Sequence, residues 1–398
     1  MEQLWKQNLR QIEPYVPGEQ SSDPDRIKLN ANENPYPPAP GVEAVLRSYD
    51  PAALCLYPDA NARLLKASIA RHYGVAPEQV FVGNGSDDVL ALAFQSFFNS
   101  DKPIAFPDIT YSFYPVWCRL FHIPFVTYPL TADFRIDPAD YAAPNGGVVL
   151  PNPNAPTSIG EDLPFVQALL EGNRDAVVII DEAYADFGGV SAVPLLADYP
   201  NLLVCGTFSK SRSLAGLRLG FAIGSAELIS VLEAVKNSYN SYTVDNLSLL
   251  CGAAAMDDEA YFAKTTAAVI TTRERVRRAL EQMGFSVLPS RTNFLFAHIK
   301  WAVAAVIDQC RHHNMDQRGH QEHRQQIQIQ DLLGAHLHHR KQGHKVPMKQ
   351  PHQLGVHTGH QLNGTDKIQE DQRNFFILHA KKPPFPAKMR PSVRRYRW

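Results

Sequence analysis

The chain has 398 residues, 44% of them hydrophobic and 20% charged, with a formal net charge of −1. This fits one large α/β domain with a smaller one, and the balanced charge indicates no nucleic-acid or membrane partner. There is no apolar run of about eighteen residues and no apolar signal region, so we expect neither a membrane span nor secretion. The five cysteines are scattered without a CxxC pair. They favour a reducing compartment, and we predict a cytoplasmic protein.

The first part of the chain alternates predicted strands and helices. Residues 1–28 form a polar N-terminal arm with one short helix, and 29–42 is a loop rich in proline and asparagine. The segment "QVFVGNGSDDVLALAFQSFF" (79–98) predicts a strand, a glycine turn and a helix capped by Ser86, and later segments repeat this order. Short apolar strands between helices predict a mostly parallel sheet covered on both faces.

The next elements bring polar residues to the ends of apolar strands. "DAVVIIDEAYADF" (175–187) is a run of β-formers that ends in acids and a tyrosine. "CGTFSKSRSLAGLRLGFAIG" (205–224) predicts two apolar strands around a hydroxyl-rich loop. Residues 246–284 are predicted to be helical, and 285–299 predicts two strands around a turn.

The composition changes after about residue 299. From Trp301 onward there are 16 Lys and Arg against 7 Asp and Glu, with 12 of the 15 histidines, and no sustained helical or strand period. Such a segment buries too little apolar surface to offset its ordering entropy, so we predict disorder for 300–398. It resembles an out-of-frame translation, and its "HLHH" cluster (336–339) has no ligand framework of a physiological metal site. We place a large domain at 29–250, which opens with part of the small domain, and a partial C-terminal small domain at 251–299.

Lys210 and Arg218 lie in and after the hydroxyl-rich loop. An isolated loop lysine is usually solvated, but both flanks here are apolar runs of buried-strand length. A desolvated lysine amine is a nucleophile and forms Schiff bases, and an arginine eight residues later suits an anion. Pyridoxal 5′-phosphate supplies the carbonyl and the anion in one molecule.

Other candidate residues follow the ends of predicted strands, where ligands bind in open α/β sheets. In "GNGSDD" (83–88) the glycines permit a tight turn into a helix whose N–H groups suit a phosphate, or the segment is an ordinary capped helix. Asp181 ends a buried strand, where it pairs with a pyridinium nitrogen or caps a helix. Tyr184 suits the phenolic oxygen of the cofactor and Tyr111 suits stacking on its ring, while either one alone is equally a core or surface tyrosine.

The order of these motifs resembles the class I/II aminotransferases, which are pyridoxal-phosphate enzymes of the type I fold. Within that family the chain is most similar to the histidinol-phosphate aminotransferases, and the resemblance covers about residues 10–299. It is carried by "LNANENPYPP", "YPD" at 57–59, "GNGSDD", "TYSFY", "NPNAPT", "DEAYADF" and "TFSKSRSLAGLRLGF". It implies an α/β large domain with a mostly parallel central sheet, and a smaller α+β domain that is incomplete here.

The resemblance also implies roles for individual residues. Lys210 would form the Schiff base with the cofactor and carry a proton, Asp181 would pair with the pyridinium, Tyr184 would bond the phenolic oxygen, and Tyr111 would stack on the ring. The phosphate would be held by Gly85, Ser86, Asp87, Thr207, Ser209 and Arg218. Tyr57 would reach the phosphate in the partner subunit, which implies a homodimer with shared sites. The loop that folds over the substrate would contain Asn30, Asn32 and Glu33.

The chain departs from the family pattern at three points. Ala155 stands where the family has an asparagine, so we assign the bond to the phenolic oxygen to Asn154. Ser158 stands where a glycine is usual. We find no strand after residue 300 that carries the arginine gripping the substrate carboxylate, and Arg373 in "DQRNFFIL" is the nearest imitation.

The implied reaction moves an amino group between L-histidinol phosphate and 2-oxoglutarate in histidine biosynthesis, and the altered C-terminus would impair it. The alternatives are an aromatic aminotransferase, a decarboxylase of phosphorylated amino acids, and a catalytically dead product that still binds pyridoxal phosphate.

Overall fold

The computed structural model describes residues 4–18, 20, 22, 28–142, 144–299, 357–358 and 375–379. The helices are α1 (Pro40–Ser48), α2 (Arg63–Tyr73), α3 (Ser86–Phe97), α4 (Phe113–Phe121), α5 (Leu163–Glu171), α6 (Ala226–Tyr239), α7 (Asn246–Asp257) and α8 (Glu259–Gln282). Short 3-10 helices lie at Leu4–Asn8, Pro51–Cys55, Pro77–Gln79, Pro138–Tyr141, Ala185–Phe187, Val193–Ala197 and Ala215–Leu217.

The large sheet has seven strands, in the order β1-β7-β6-β5-β4-β2-β3. They are β1 (Val80–Gly83), β2 (Ile104–Pro107), β3 (Phe125–Tyr128), β4 (Gly147–Pro151), β5 (Val178–Asp181), β6 (Leu202–Thr207) and β7 (Gly220–Gly224). β7 runs antiparallel to both of its neighbours, and the other neighbouring pairs are parallel. The predicted mostly parallel α/β sheet is confirmed.

Alternating side chains of these strands supply two apolar cores, one on each face of the sheet. In β5, Val178 and Ile180 belong to one core, and Ile179 belongs to the other. β4 divides in the same way, with Val149 on the second face. Because strand side chains alternate between faces, a strand buried on both sides must be apolar throughout. This explains why the strand segments are continuous apolar runs.

Two local predictions need correction. The helix predicted over 246–284 is interrupted at Asp258, whose side chain accepts a hydrogen bond from the Tyr261 N–H at 3.0 Å and begins α8. The N-cap of α3 is Gly85 and not Ser86, which is the first helical residue. The Gly85 backbone has φ 90° and ψ 161°, a conformation that a serine seldom adopts.

A second sheet contains β8 (Phe285–Val287), β9 (Phe294–Ile299), β10 (His357–Thr358) and β11 (Phe375–His379) in the order β10-β11-β9-β8, with all pairs antiparallel. The disorder predicted for 300–398 is therefore wrong at 375–379, where β11 pairs along β9 from Phe375 opposite His298 to His379 opposite Phe294. This strand contains no arginine, so the lack of a strand with the carboxylate-gripping arginine stays a prediction. Arg373, the "HLHH" cluster and most of the segment predicted to be disordered lie outside the described residues.

The boundaries proposed at residues 28, 250 and 299 stay predictions. Within the part of the chain that the structure describes, none of the helices combines the length and the apolar run needed to cross a bilayer.

Candidate active site

The predicted site residues gather at one edge of the large sheet. Asp181 is the last residue of β5, Thr207 is the last residue of β6, and Lys210 follows three residues later. Gly85 follows β1, which lies parallel to β6 with β7 between them. Since parallel strands end at the same edge, the topology collects residues that lie more than a hundred positions apart in the chain.

The N-terminus of α3 and the start of β7 form a cradle for an anion. The first N–H groups of a helix have no partner within it and carry a partial positive charge. The chain packs Arg218 and Gly220 against this terminus: a Cβ on Gly85 would lie 2.6 Å from Arg218 Nη2, and a Cβ on Gly220 would lie 2.3 Å from the Ser86 nitrogen. Glycine at both positions allows a guanidinium and the helix N–H groups to share one small space, which suits a phosphate.

Asp87 holds two of the predicted residues in place. One carboxylate oxygen accepts a hydrogen bond from the Tyr111 hydroxyl at 2.8 Å, and the other accepts one from Arg218 Nη2 at 3.2 Å. Arg218 has left-handed backbone angles, φ 51° and ψ 61°, which are uncommon outside glycine. Burial, followed by the charge of Asp87, raises the pKa of Tyr111 well above its ordinary value, so its hydroxyl remains a donor.

The hydroxyl groups before the lysine shape the turn between β6 and β7. Thr207 Oγ1 accepts a hydrogen bond from the Ser209 N–H at 3.2 Å and donates to the Leu219 carbonyl at 3.4 Å. Both side chains are buried beside the cradle. This network explains why a polar sequence lies between two apolar strands.

Asp181 is a buried carboxylate beside the lysine. One of its oxygens accepts a hydrogen bond from the Tyr114 hydroxyl at 2.9 Å, and the other accepts one from the Ala183 N–H at 3.1 Å. Burial raises the pKa of Asp181 to about 6, against the lowering effect of the two hydrogen bonds and of the Lys210 charge. An added cation beside Asp181 would stabilise its ionised form.

The Lys210 amine lies beneath the N-terminal loop. Its Nζ donates to the Ala31 carbonyl at 2.8 Å and lies 5.5 Å from the centre of the Tyr184 ring. Asn34 Nδ2 donates to the carbonyls of Lys210 and Ser211 at 2.9 and 3.1 Å. The loop therefore hydrogen-bonds to both the side chain and the backbone of Lys210.

The same loop reaches Tyr184 and Asn293, the residue before β9. Asn32, at φ 55°, donates from Nδ2 to the Tyr184 hydroxyl at 2.8 Å, and Asn293 Nδ2 donates to the Asn32 carbonyl at 2.9 Å. Glu33 forms an ion pair with Lys28 at 2.6 Å. Asn30 lies against Gly18, where a Cβ would be 3.0 Å from Asn30 Nδ2.

Two predicted residues are placed differently from the rest. The Asn154 amide donates to the Ile109 carbonyl at 3.0 Å and to Thr157 Oγ1 at 3.1 Å, so both amide hydrogens are engaged within the protein. Its buried Oδ1 accepts no hydrogen bond from any residue that the structure describes. Tyr57 is 80% exposed and stacks on Tyr242, with 4.6 Å between ring centres. Its role at the phosphate of a partner subunit stays a prediction.

Sequence reasoning missed Tyr114 and Asn34. Tyr114 sits inside "TYSFY" as a further aromatic residue of an apolar helix, and Asn34 sits in the proline-rich loop. The only sequence signal was their place inside segments already assigned to the site.

Comparisons with known proteins relate the chain to one family. The model of the family described as aminotransferase class I and II matches residues 24–323. The histidinol-phosphate aminotransferase of Chromohalobacter salexigens is 55% identical over 296 residues, which cover 74% of this chain and 84% of the relative. Histidinol-phosphate aminotransferase 2 of Dechloromonas aromatica is 54% identical over 300 residues, with the same coverage.

Among solved structures, the histidinol-phosphate aminotransferase from Sinorhizobium meliloti, in complex with pyridoxal-5′-phosphate, aligns with a TM-score of 0.62 at 26% identity. The alignment covers 70% of this chain and 78% of that one. The fold class and the family predicted from the motifs are both confirmed, and the chain belongs to the class I and II aminotransferases.

Proposed function

We propose that the chain is a pyridoxal-phosphate-dependent aminotransferase that moves an amino group between L-histidinol phosphate and 2-oxoglutarate. The observation that carries the proposal is the convergence of a lysine amine, a buried carboxylate and an anion cradle at one sheet edge. The relatives' names supply the substrate.

The residues present fit this cofactor. The cradle consists of Gly85, Ser86 and Arg218. A side chain at Gly85 would fill the space beside the Arg218 guanidinium, and a bound phosphate requires that space. Asp181 is the buried anion that a protonated ring nitrogen needs. The bound cofactor supplies a carbonyl for the amine and an electron sink for the substrate α-carbon.

The chain's own residues bind, orient and move protons. Arg218 and the α3 N-terminus fix the phosphate, because a charge-assisted guanidinium bond is strong and directional. Lys210 would take a proton from the substrate α-carbon and return it at C4′ of the cofactor. The loop at 30–34 contacts the amine through the Ala31 carbonyl and the Lys210 backbone through Asn34.

A second copy of the chain is the proposed partner. Three apolar side chains of one segment are strongly exposed, Leu54 at 69%, Leu56 at 71% and Tyr57 at 80%. Such clustered apolar surface favours burial against another protein surface. A homodimer would cover it and bring Tyr57 to the phosphate of the other subunit. We further propose that the dimer acts in the cytoplasm.

The experiment is a spectrum of the full-length protein with pyridoxal phosphate, followed by borohydride. We expect a visible band that borohydride removes and that is absent in Lys210→Ala. A stable adduct that maps to another lysine would overturn the role of Lys210.

Single-turnover conversion of the loaded protein then tests the substrate. We expect faster conversion with L-histidinol phosphate than with L-phenylalanine, and slow steady-state turnover with 2-oxoglutarate because the carboxylate-gripping arginine has no assigned counterpart. Faster conversion of phenylalanine, or release of carbon dioxide from a phosphorylated amino acid offered as substrate, would overturn the substrate and leave the cofactor assignment in place.

A further inference from the structure

Tyr114 contacts the buried carboxylate of the site from behind. It is the second residue of α4, it is 0% exposed, and its hydroxyl donates to Asp181 Oδ2 at 2.9 Å. Its ring lies among other aromatic rings, with centre distances of 5.8 Å to Phe106 and 5.7 Å to Tyr111. Close packing restricts the ring to one orientation, so the hydroxyl is directed at the carboxylate.

Within the described part of the chain, Asp181 has few other partners that favour its charge. Ala183 donates its backbone N–H to Oδ1 at 3.1 Å. The titratable groups that face Asp181 from the surrounding elements are Asp87, Tyr111, Glu182, Cys205 and Lys210. Of these, Lys210 favours the ionised carboxylate and Asp87 opposes it. Among the contacts that favour the ionised Asp181 carboxylate, the hydrogen bond from Tyr114 has the largest effect on its pKa.

We propose that Tyr114 is a positioning residue that keeps the Asp181 carboxylate ionised and oriented towards the ring nitrogen of the cofactor, an inference that rests on the proposed function. A phenol O–H donates a stronger, charge-assisted hydrogen bond to the carboxylate than to the neutral carboxyl group, so it stabilises the anion. A carboxylate oxygen accepts two hydrogen bonds, and the bond from Tyr114 leaves capacity for a pyridinium N–H.

The size of the effect follows from the kind of hydrogen bond. A bond to a charged group stabilises it strongly, and burial at 5% exposure leaves little water to replace it. Removing the hydroxyl should raise the pKa of Asp181 by about one unit. At a pH below that pKa, this lowers the ionised fraction of Asp181 about tenfold. Burial and the Asp181 charge hold the pKa of Tyr114 well above its ordinary value, so it remains a donor across the working range.

The test uses 4′-deoxypyridoxine 5′-phosphate, which keeps the ring nitrogen and the phosphate but has no aldehyde, so its binding does not depend on the chemistry of Lys210. Its affinity for the full-length apoprotein is measured against pH by fluorescence. In Tyr114→Phe we expect the loss of affinity on acidification to begin about one pH unit higher than in the wild type. The titration of the free ligand is common to both proteins and cancels in the comparison.

A matched control exists in Tyr199→Phe. Tyr199 is also buried, and its hydroxyl also donates to a carboxylate, that of Glu171 at 2.5 Å, outside the site. This variant should leave the pH profile unchanged. Combining Tyr114→Phe with Asp181→Asn should also produce no shift beyond that of Asp181→Asn alone, because the titrating group is gone.

The 1-deaza analogue of the ligand, with carbon in place of the ring nitrogen, separates positioning from general damage. We expect Tyr114→Phe to leave its affinity unchanged. Provided that the wild type binds both ligands, two results would overturn the role of Tyr114. One is an equal loss of affinity for both ligands in Tyr114→Phe, and the other is an unshifted pH profile with the nitrogen-containing ligand. A wild type that binds neither ligand would instead overturn the proposed cofactor, and this inference with it.

Discussion

Gly220→Ala should force the start of β7 and the N-terminus of α3 apart and so disrupt the anion cradle. The added Cβ would lie 2.3 Å from the Ser86 nitrogen, 2.4 Å from the Gly85 carbonyl carbon and 2.7 Å from its oxygen. All three atoms belong to backbone, so no side chain can rotate away. Either β7 or the start of α3 has to move by about an ångström to restore ordinary contact distances.

The structural cost can be estimated from this contact. Overpacking against side chains costs about 1–3 kcal/mol, and a contact with fixed backbone on both sides belongs at or above the upper end. β7 is bonded to β1 and β6, with Gly220 opposite Gly83 and Thr207, so the strand cannot shift without losing ladder bonds. We expect a loss of at least about 3 kcal/mol in the free energy of unfolding.

Urea unfolding and pyridoxal-phosphate titration measure the two consequences. The control is Gly216→Ala, four residues earlier in the same turn, where no atom of another described residue lies within 4 Å of the added Cβ. This control should remain within about 0.5 kcal/mol of the wild type or gain slightly. The reasoning fails if Gly220→Ala is as stable as Gly216→Ala, or if it binds the cofactor with unchanged affinity.

Three further predictions concern charged groups. Arg218→Lys should weaken pyridoxal-phosphate binding by about tenfold, measured by titration, since an ammonium cannot replace the guanidinium geometry; equal affinities would remove Arg218 from the cradle. Asp181→Asn should still bind the cofactor through its phosphate but lose about a hundredfold in the single-turnover rate with amino donor, and an unchanged rate would exclude it from the site. Burial raises the pKa of Glu182 from 4.5 to about 8, so its contribution to stability is complete below pH 4.5 and is lost as the pH rises towards 8. Glu182→Gln should flatten that decline in urea unfolding, and an identical slope would contradict the shift.

The strands of the large sheet could be predicted because the apolar pattern of each strand lies within a few consecutive residues. β5 and β6 are buried on both faces, so each reads as a continuous apolar run ending in Asp181 or Thr207. The positions of Asp181, Lys210 and Arg218 follow from strand ends, which the same runs define. These residues could be assigned to one site before any distance was known.

The features that were missed depend on contacts between distant segments. Gly85 rather than Ser86 caps α3 because β7, more than a hundred residues later, approaches that turn. β11 exists because the exposed edge of β9 offers it a pairing partner, which composition does not reveal. Tyr114 differs from its aromatic neighbours only in the hydrogen bond to Asp181, which packing of α4 against the end of β5 creates.

The hydrogen bonds of the N-terminal loop join the two ends of the site. Asn293, just before β9, donates to the Asn32 carbonyl, and Asn32 donates to Tyr184 beside the lysine. A displacement of β9 would therefore move Tyr184 through these two hydrogen bonds, without a change in the large sheet. Among the residues that the structure describes, the side-chain hydrogen bonds of Asp87, Asp181 and Arg218 lie within the large-sheet region, whereas β9 of the small sheet pairs with β11. A change that displaces β9 should for this reason act on substrate handling through the loop at 30–34, while the anion cradle and Asp181 remain assembled.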